Sequence, residues 1–454
     1  MPSPARKSGT NTARWVAALL LLLAPAYKLA QWTILAPRAR IVSADVAAKG
    51  AVLFNHEFTA NDPLTGGDGL GPVYNARSCV ACHFQGGPGG GGGIDQNVTV
   101  YGIPAGVHNP GIATVGVVHA HAVKPELQET LFHVNGGLPR KPSLPLADVI
   151  DPAARRGRPV VVTQRNTPAL FGDGLIDAVS EDTLVHHMRE HSAPARLVGL
   201  NGAVDGKIRG RVSRLADGRI GRFGWKGEFS TLNDFVKAAC ANELGLSNPE
   251  RPQATSIAKI GYKSTGVDLS DAQCDLMTDY LTSLAPPVEV ASADPDQRAA
   301  AAHGKETFKA IGCADCHSQN LGPASAIYSD LLLHDMGIEL ESSTGYYGAI
   351  VPPPVLADTR FSVGQVPSAG DWRTAPLWGV ADSAPYLHDG RAPTLDDAIQ
   401  LHGGEAADVT ARYKALDSRE QADLLTFLST LRAPGATTPK PAEGSRPSTT
   451  VAAR

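Results

Sequence analysis

The 454-residue chain is poor in aromatic residues, at 6%, and its formal net charge is only −4. Without a basic excess it offers no electrostatic footprint for a polyanion, so nucleic acid is not an expected partner. Beyond the N-terminal segment, no apolar run approaches the ~20 residues that a membrane-spanning helix needs. Methionine is scarce, with four in the chain, which leaves few sulfur donors for a metal. Cysteine is limited to six residues, and four of these fall in two short motifs. Glycine (47) and proline (34) are plentiful, a balance that suggests long ordered loops around a modest scaffold. The hydrophobic content of 43% over this length is enough for two or three domains with their own cores.

The N-terminus reads as an export signal over residues 1–40. Arg6, Lys7 and Arg14 precede a nearly continuous apolar stretch from 15 to 26, with five leucines at 19–23. Ala24-Pro25-Ala26 is a poor version of a small-residue cleavage site. Extended to Ile34, the apolar run comes close to a spanning length, so a cleaved signal and a retained inner-membrane anchor both stand. Either places the remainder in the periplasm, where Cys240 and Cys274 would form a disulfide or stay as two buried thiols.

The two motifs are Cys79-Val80-Ala81-Cys82-His83 and Cys313-Ala314-Asp315-Cys316-His317. Covalent c-type haem attachment needs two thiols to add across the vinyl groups and an imidazole directly after the second thiol to ligate iron. A zinc site would need four ligands, and a thioredoxin-type motif has no use for the histidine. Two such pentads behind an export signal point to two haem c groups.

Each pentad heads a related half. Arg165-Asn166-Thr167-Pro168 follows the first and Arg373-Thr374-Ala375-Pro376 the second; residues 225–234 then match 388–397 without a gap. Each half closes with a helix whose apolar positions recur at helical spacing, beginning after Leu269-Ser270 and Leu416-Asp417-Ser418. A β-hairpin is expected over 208–223, turning at Asp217-Gly218. Residues 286–297 read as a linker, and 433–454 as a low-complexity, disordered tail. In this register, the position equivalent to His402 is Ala239.

Several further segments carry a resemblance. These are Asp68-Gly69-Leu70-Gly71-Pro72 leading to Asn75-Ala76-Arg77-Ser78-Cys79; Arg165-Asn166-Thr167-Pro168; Leu331-Leu332-Leu333-His334-Asp335-Met336-Gly337; and Tyr386-Leu387-His388-Asp389-Gly390-Arg391. Over about 45–432 the chain resembles the bacterial di-haem cytochrome c peroxidase superfamily, and within it the di-haem oxidoreductase family. The resemblance implies a mainly α fold of two cytochrome c-like helical domains, 41–285 and 298–432, with long loops and a small β-hairpin insertion. It also implies a division of labour. One haem receives electrons from a small redox protein, and the other meets hydrogen peroxide or another small oxidant.

The pentads make His83 and His317 the proximal ligands. The resemblance places the distal ligand of the second haem at His402, where related proteins have methionine; a propionate-binding or core histidine is the plainer reading of that residue, and His388, His334 and Met336 are the other donors. Bis-histidine ligation would lower this haem's potential relative to His/Met. At the first haem, Ala239 cannot bind iron. Its distal face is therefore open, or is filled by His108, His119, His121 or His133 of the long insertion, with His119 and His121 the favoured pair.

Glu243 lies one helical turn past Ala239 and shares its face. It resembles the superfamily's acid/base glutamate, which would move a proton during O–O cleavage; a solvated helix glutamate is the alternative. Trp225 corresponds to the tryptophan between haems, or is plain core. Asn166, Thr374 and the carbonyl of Pro376 match inter-haem calcium ligands, all of them oxygen donors. The reading is a peroxidase-like oxidoreductase passing electrons from haem 2 to haem 1. The alternatives are an electron-transfer cytochrome without substrate chemistry, or a di-haem oxidase of another protein or small molecule.

Overall fold

The structure, a computed structural model, describes residues 40–104, 112–134, 149–150, 161–191, 208–259, 265–342, 367 and 369–440. The expected export segment (apart from residue 40), His108 and residues 441–454 lie outside the described residues. The first half contains helices α1 (Ala44–Asn55), α2 (Asp173–Asp177), α3 (Glu181–His191), α4 (Leu232–Glu243) and α5 (Asp271–Ser283). The second contains α6 (Pro295–Ala310), α7 (Leu395–Gln400), α8 (Ala407–Ala415) and α9 (Ser418–Ser429). The architecture is mainly helical, with small sheets inserted.

The repeat extends to the helix caps. The Thr231 hydroxyl accepts the Asp234 amide at the start of α4, and the equivalent Thr394 accepts the Asp397 amide at the start of α7. Ser270 with Gln273 and Asp417 with Glu420 form capping boxes that start α5 and α9, each satisfying otherwise unpaired N-terminal amides. The closing helices therefore begin where the Leu-Ser and Leu-Asp-Ser signals place them.

In each half the opening helix packs on the closing one through a glycine. A Cβ added at Gly50 of α1 would lie 1.9 Å from the Leu276 carbonyl oxygen of α5; at Gly304 of α6 it would lie 1.9 Å from that of Asp423 in α9. Four residues later come Phe54 and Phe308, both buried, so one helical turn separates the close approach from a core anchor. Two hydrophobic cores result, one against each pentad. In the second, Phe308, Tyr328 and Phe427 meet edge-on with centroids 5.5–6.1 Å apart.

The long insertion contributes a four-stranded antiparallel sheet of β1 (Val98–Pro104), β2 (Ile112–Val118), β3 (Val149–Ile150) and β4 (Val161–Arg165), in the order β2-β1-β4-β3. Val98 stands opposite Arg165, so the sheet delivers the chain to Asn166 at its end. The expected hairpin is present in shortened form. Ser213–Arg214 pairs with Ile220–Gly221, and Gly218 takes the left-handed φ of +89° that the turn requires. Its stem continues at Arg211, which bridges Leu333 of the strand Leu333–Asp335.

The stretch expected as a linker is ordered at both ends: Val288–Glu289 pairs with Leu431–Arg432, and α6 begins at Pro295. The tail is held as far as Lys440, whose ammonium donates to the Ala381 carbonyl at 2.9 Å. Among the described residues, no helix is long and apolar enough to cross a membrane.

Candidate haem centres

A cavity of about 410 Å³ is lined by the four cysteines and two histidines of the pentads, Cys79, Cys82, His83, Cys313, Cys316 and His317. In both pentads one helical turn gathers the three groups. The His83 amide donates to the Cys79 carbonyl at 3.0 Å, and His317 to Cys313 at 2.9 Å. Burial pushes the thiols of Cys79, Cys82 and Cys313 up to about 12. It lowers both imidazoles to about 4, which keeps them neutral, as a metal ligand must be.

Each pentad imidazole is also fixed in its tautomer. His83 donates from Nδ1 to the Pro168 carbonyl at 3.0 Å, and His317 from Nδ1 to the Tyr328 carbonyl at 2.9 Å. A carbonyl can only accept, so Nδ1 carries the proton and the Nε2 lone pair is left for iron. Pro168 is supplied by the segment leaving β4. Tyr328 is locked by the aromatic cluster of the second core.

His402 repeats the same device. It follows the C-cap Leu401 of α7, lines the cavity, and donates from Nδ1 to the Ala398 carbonyl at 2.7 Å. It is also near enough to His317 to help hold that ring's protonation down, after burial. Of the other expected donors, His334 has both nitrogens on carboxylates and His388 stacks on Trp372 with centroids 3.7 Å apart. Met336 lines the cavity but stands on the segment after that strand.

The first centre differs. Ala239 lines the cavity where His402 stands in the other half, and half-buried Glu243 lines it one turn on. Asn75 holds the end of α4 twice: its amide donates to the Glu243 carbonyl at 2.7 Å, and its side chain to Glu243 Oε2 at 2.7 Å. Asn75 precedes the first pentad by four residues, and nothing in the sequence pairs it with Glu243. His119 is a brace here and is not positioned as a ligand: Glu129 holds its Nδ1 at 2.7 Å and the Asn242 carbonyl its Nε2 at 2.9 Å. His121 is exposed beside Tyr74, and His133 bonds Thr130. None of the three lines the cavity.

Trp225 lies between the two Arg-x-x-Pro segments. Its indole N–H donates to the Asn166 carbonyl at 3.0 Å, and its own carbonyl accepts the Arg373 amide at 2.9 Å. Asn166, Thr374 and Pro376 line the cavity as well. The Asn166 side-chain N–H donates to Asn97, which leaves its oxygen available. Three neutral oxygens suit calcium in kind, with water needed to complete its shell. Among the described residues, no cluster of three or more His, Cys, Asp or Glu is placed to hold a metal ion. Cys240 and Cys274 are buried free thiols, so the structure takes the unbonded alternative.

The cavity suits haem on its own evidence. Its wall combines two thiol pairs and neutral imidazoles with the guanidinium groups of Arg165, Arg222 and Arg373, which match propionate carboxylates. Buried Arg222 Nε and His388 Nε2 have no hydrogen-bond partner among the described residues, as expected of donors that await a ligand. The sequence alone assigns no role to these arginines, although Arg165 and Arg373 are the equivalent first residues of the repeated segment.

The family described as "Di-haem oxidoreductase, putative peroxidase" matches residues 116–431, beginning after the first pentad. The methylamine utilization protein MauG of Methylorubrum extorquens is 29% identical over 147 residues, 30% of this chain and 37% of that protein. Hydrazine synthase subunit gamma of Kuenenia stuttgartiensis is 26% identical over 155 residues, 31% of this chain and 43% of that one. The match thus spans less than half the length of either. Among solved structures, the diheme peroxidase BthA from Burkholderia thailandensis aligns with a TM-score of 0.38 at 14% identity, over 87% of each chain. Hydrazine synthase from Kuenenia stuttgartiensis aligns at 0.36 and 14%, covering 87% of this chain and 90% of that one.

Proposed function

This chain belongs to the di-haem oxidoreductase family, and we propose that it works as an exported, peroxidase-like c-type cytochrome. Its two helical cores are read as cytochrome c-like domains over 41–285 and 298–432. The observation that carries the reading is the inequality of the two centres: His402 lines the cavity in one half, and Ala239 with Glu243 in the other. Covalently bound at both pentads, haem would supply redox-active iron, the second centre taking electrons from a small redox protein and the first meeting peroxide.

The chain's residues divide the remaining work. His83 and His317 would offer Nε2 as proximal donors, and His402 would offer the same atom as the distal donor of the second haem. Ala239 offers no donor, which leaves room for a small oxidant. Glu243, oriented by Asn75, takes a proton from the near oxygen of peroxide and returns it to the departing oxygen. One peroxide, two electrons and two protons give two waters. Trp225, bonded to both Arg-x-x-Pro segments, is the aromatic step between the halves. Calcium on Asn166, Thr374 and the Pro376 carbonyl would tie the same segments together. The N-terminal segment directs the chain to the periplasm, as a cleaved signal or an inner-membrane tether.

The test mixes the haem-loaded protein with hydrogen peroxide and a reduced small cytochrome c. The expected result is oxidation of two donor molecules per peroxide consumed. No peroxide consumption would favour the electron-transfer cytochrome. Peroxide use that oxidises another substrate in preference to the donor would favour the oxidase.

A further inference from the structure

Residues 331–337 carry part of the family resemblance, yet the chemistry above gives them no task. At their centre is His334, only 3% exposed. Its Nε2 lies 2.9 Å from Asp330 Oδ2 and its Nδ1 2.9 Å from Glu405 Oε2. The same Nδ1 is 3.6 Å from Cys316 Sγ. An ionised carboxylate only accepts, so both bonds form together only if both ring nitrogens carry protons. Both carboxylates are held ionised by backbone amides: Asp330 Oδ1 accepts from Leu332 at 2.9 Å, and Glu405 accepts from Arg209 at 2.8 Å and Asp335 at 3.3 Å. Burial opposes ionisation at Asp330 and Glu405, but the bonds to His334 and these amides outweigh it, and both stay below the usual carboxylate value. The ring is therefore an imidazolium, buried beside a haem-attachment sulfur.

Its two partners belong to two different segments that line the second centre. The Asp330 amide donates to the Cys316 carbonyl at 2.9 Å, which ties it to the pentad. Glu405 sits in the turn Gly404–Ala406, three residues after His402. One ring thus links the segment that bears the proximal ligand to the loop that bears the distal one. Arg211 approaches Glu405 from outside at 3.7 Å, whereas His334 stands on the side facing Cys316.

We propose that His334 is a positioning residue, a fixed cation that clamps the His402 loop to the Cys316 segment and raises the reduction potential of the second haem. The proposal rests on the reading that haem is attached at Cys313 and Cys316 with His402 as its distal ligand. A buried positive charge favours the more electron-rich, reduced iron, and the low-dielectric surroundings strengthen the effect.

The sign of the response separates this role from a purely structural one. In the haem-loaded protein, His334→Gln removes the positive charge and shifts the second haem's midpoint potential down. Asp330→Asn and Glu405→Gln each remove a negative charge and shift it up. Spectroelectrochemical titration reads all three against the wild type. Where His334→Gln loses its haem, His334→Lys decides: keeping the positive charge, it holds the midpoint potential near the wild-type value, and a clear fall overturns the proposal. Potentials that do not move, or that move down in the carboxylate variants as well, overturn the proposal. Mass spectrometry of the wild-type peptide bearing Cys313 and Cys316 tests the underlying reading separately. Absence of haem there overturns that reading and the proposal with it.

Discussion

Glu243 and Asp382 show how single carboxylates are assigned different work by their partners. Glu243 ends α4 with one oxygen bonded to Asn75 and its side chain at the cavity wall, where on the proposed function it would pass a proton. Glu243→Gln is expected to lower peroxide turnover by roughly 100-fold or more, the usual scale for losing a positioned acid/base, while the haem content stays at two per chain; a loss under threefold in steady-state assays would refute the role. Asp382 is structural. It accepts from Arg432 at 2.8 and 3.0 Å and from the Ala433 amide at 2.8 Å, joining the last strand to the second core. Burial raises this carboxyl's pKa, but the Arg432 and Ala433 bonds outweigh it and hold the group below its ordinary 3.8. Its contribution is thus complete above that value and fades as pH falls through the lower folded value. Asp382→Asn should cost about 1.5–3 kcal/mol at pH 7, the scale of hydrogen bonds to a charged group. In urea unfolding the gap from wild type should shrink toward pH 3. A gap that stays constant would show that charge is not the cause.

At the scale of elements, each half is an opening helix crossed against a closing helix through Gly50 or Gly304. Gly304→Ala places a methyl 1.9 Å from a backbone oxygen of α9, and backbone cannot yield as a side-chain tip does. The expected cost is about 1–3 kcal/mol, read as a fall in Tm, with Gly50→Ala behaving alike in the first half. Unchanged Tm in both would show that the crossings are loose. The closing helices are legible because their capping boxes and apolar spacing are local. The Gly-x-x-x-Phe pattern of Gly50-Phe54 and Gly304-Phe308 is equally local and is the signal that marks the crossings. The sheet is harder to see: Val98 pairs with Arg165 across 67 positions, and short strands with Gly102 and Gly116 inside them give weak alternation. For the same reason the hairpin at 213–221, with its Asp-Gly turn, is visible and the sheet is not.

Over the whole molecule, what is legible is the pair of covalent sites and the repeat that ranks them. His402 and Ala239 are distinguished by aligning the halves alone, and the structure places both on the cavity wall. What is not legible depends on contacts between distant segments: Asn75 under Glu243, His119 braced by the Asn242 carbonyl, and His334 clamped by Glu405. None of these pairings leaves a spacing to read. The central claim is that the two haem centres are unequal, with only the Cys79/Cys82 centre open. The most direct measurement is a carbon monoxide titration of the fully reduced, haem-loaded protein followed by absorption spectroscopy. The account predicts one carbon monoxide bound per chain, with the second haem remaining low-spin and unchanged. Two equivalents bound, or none, would contradict it.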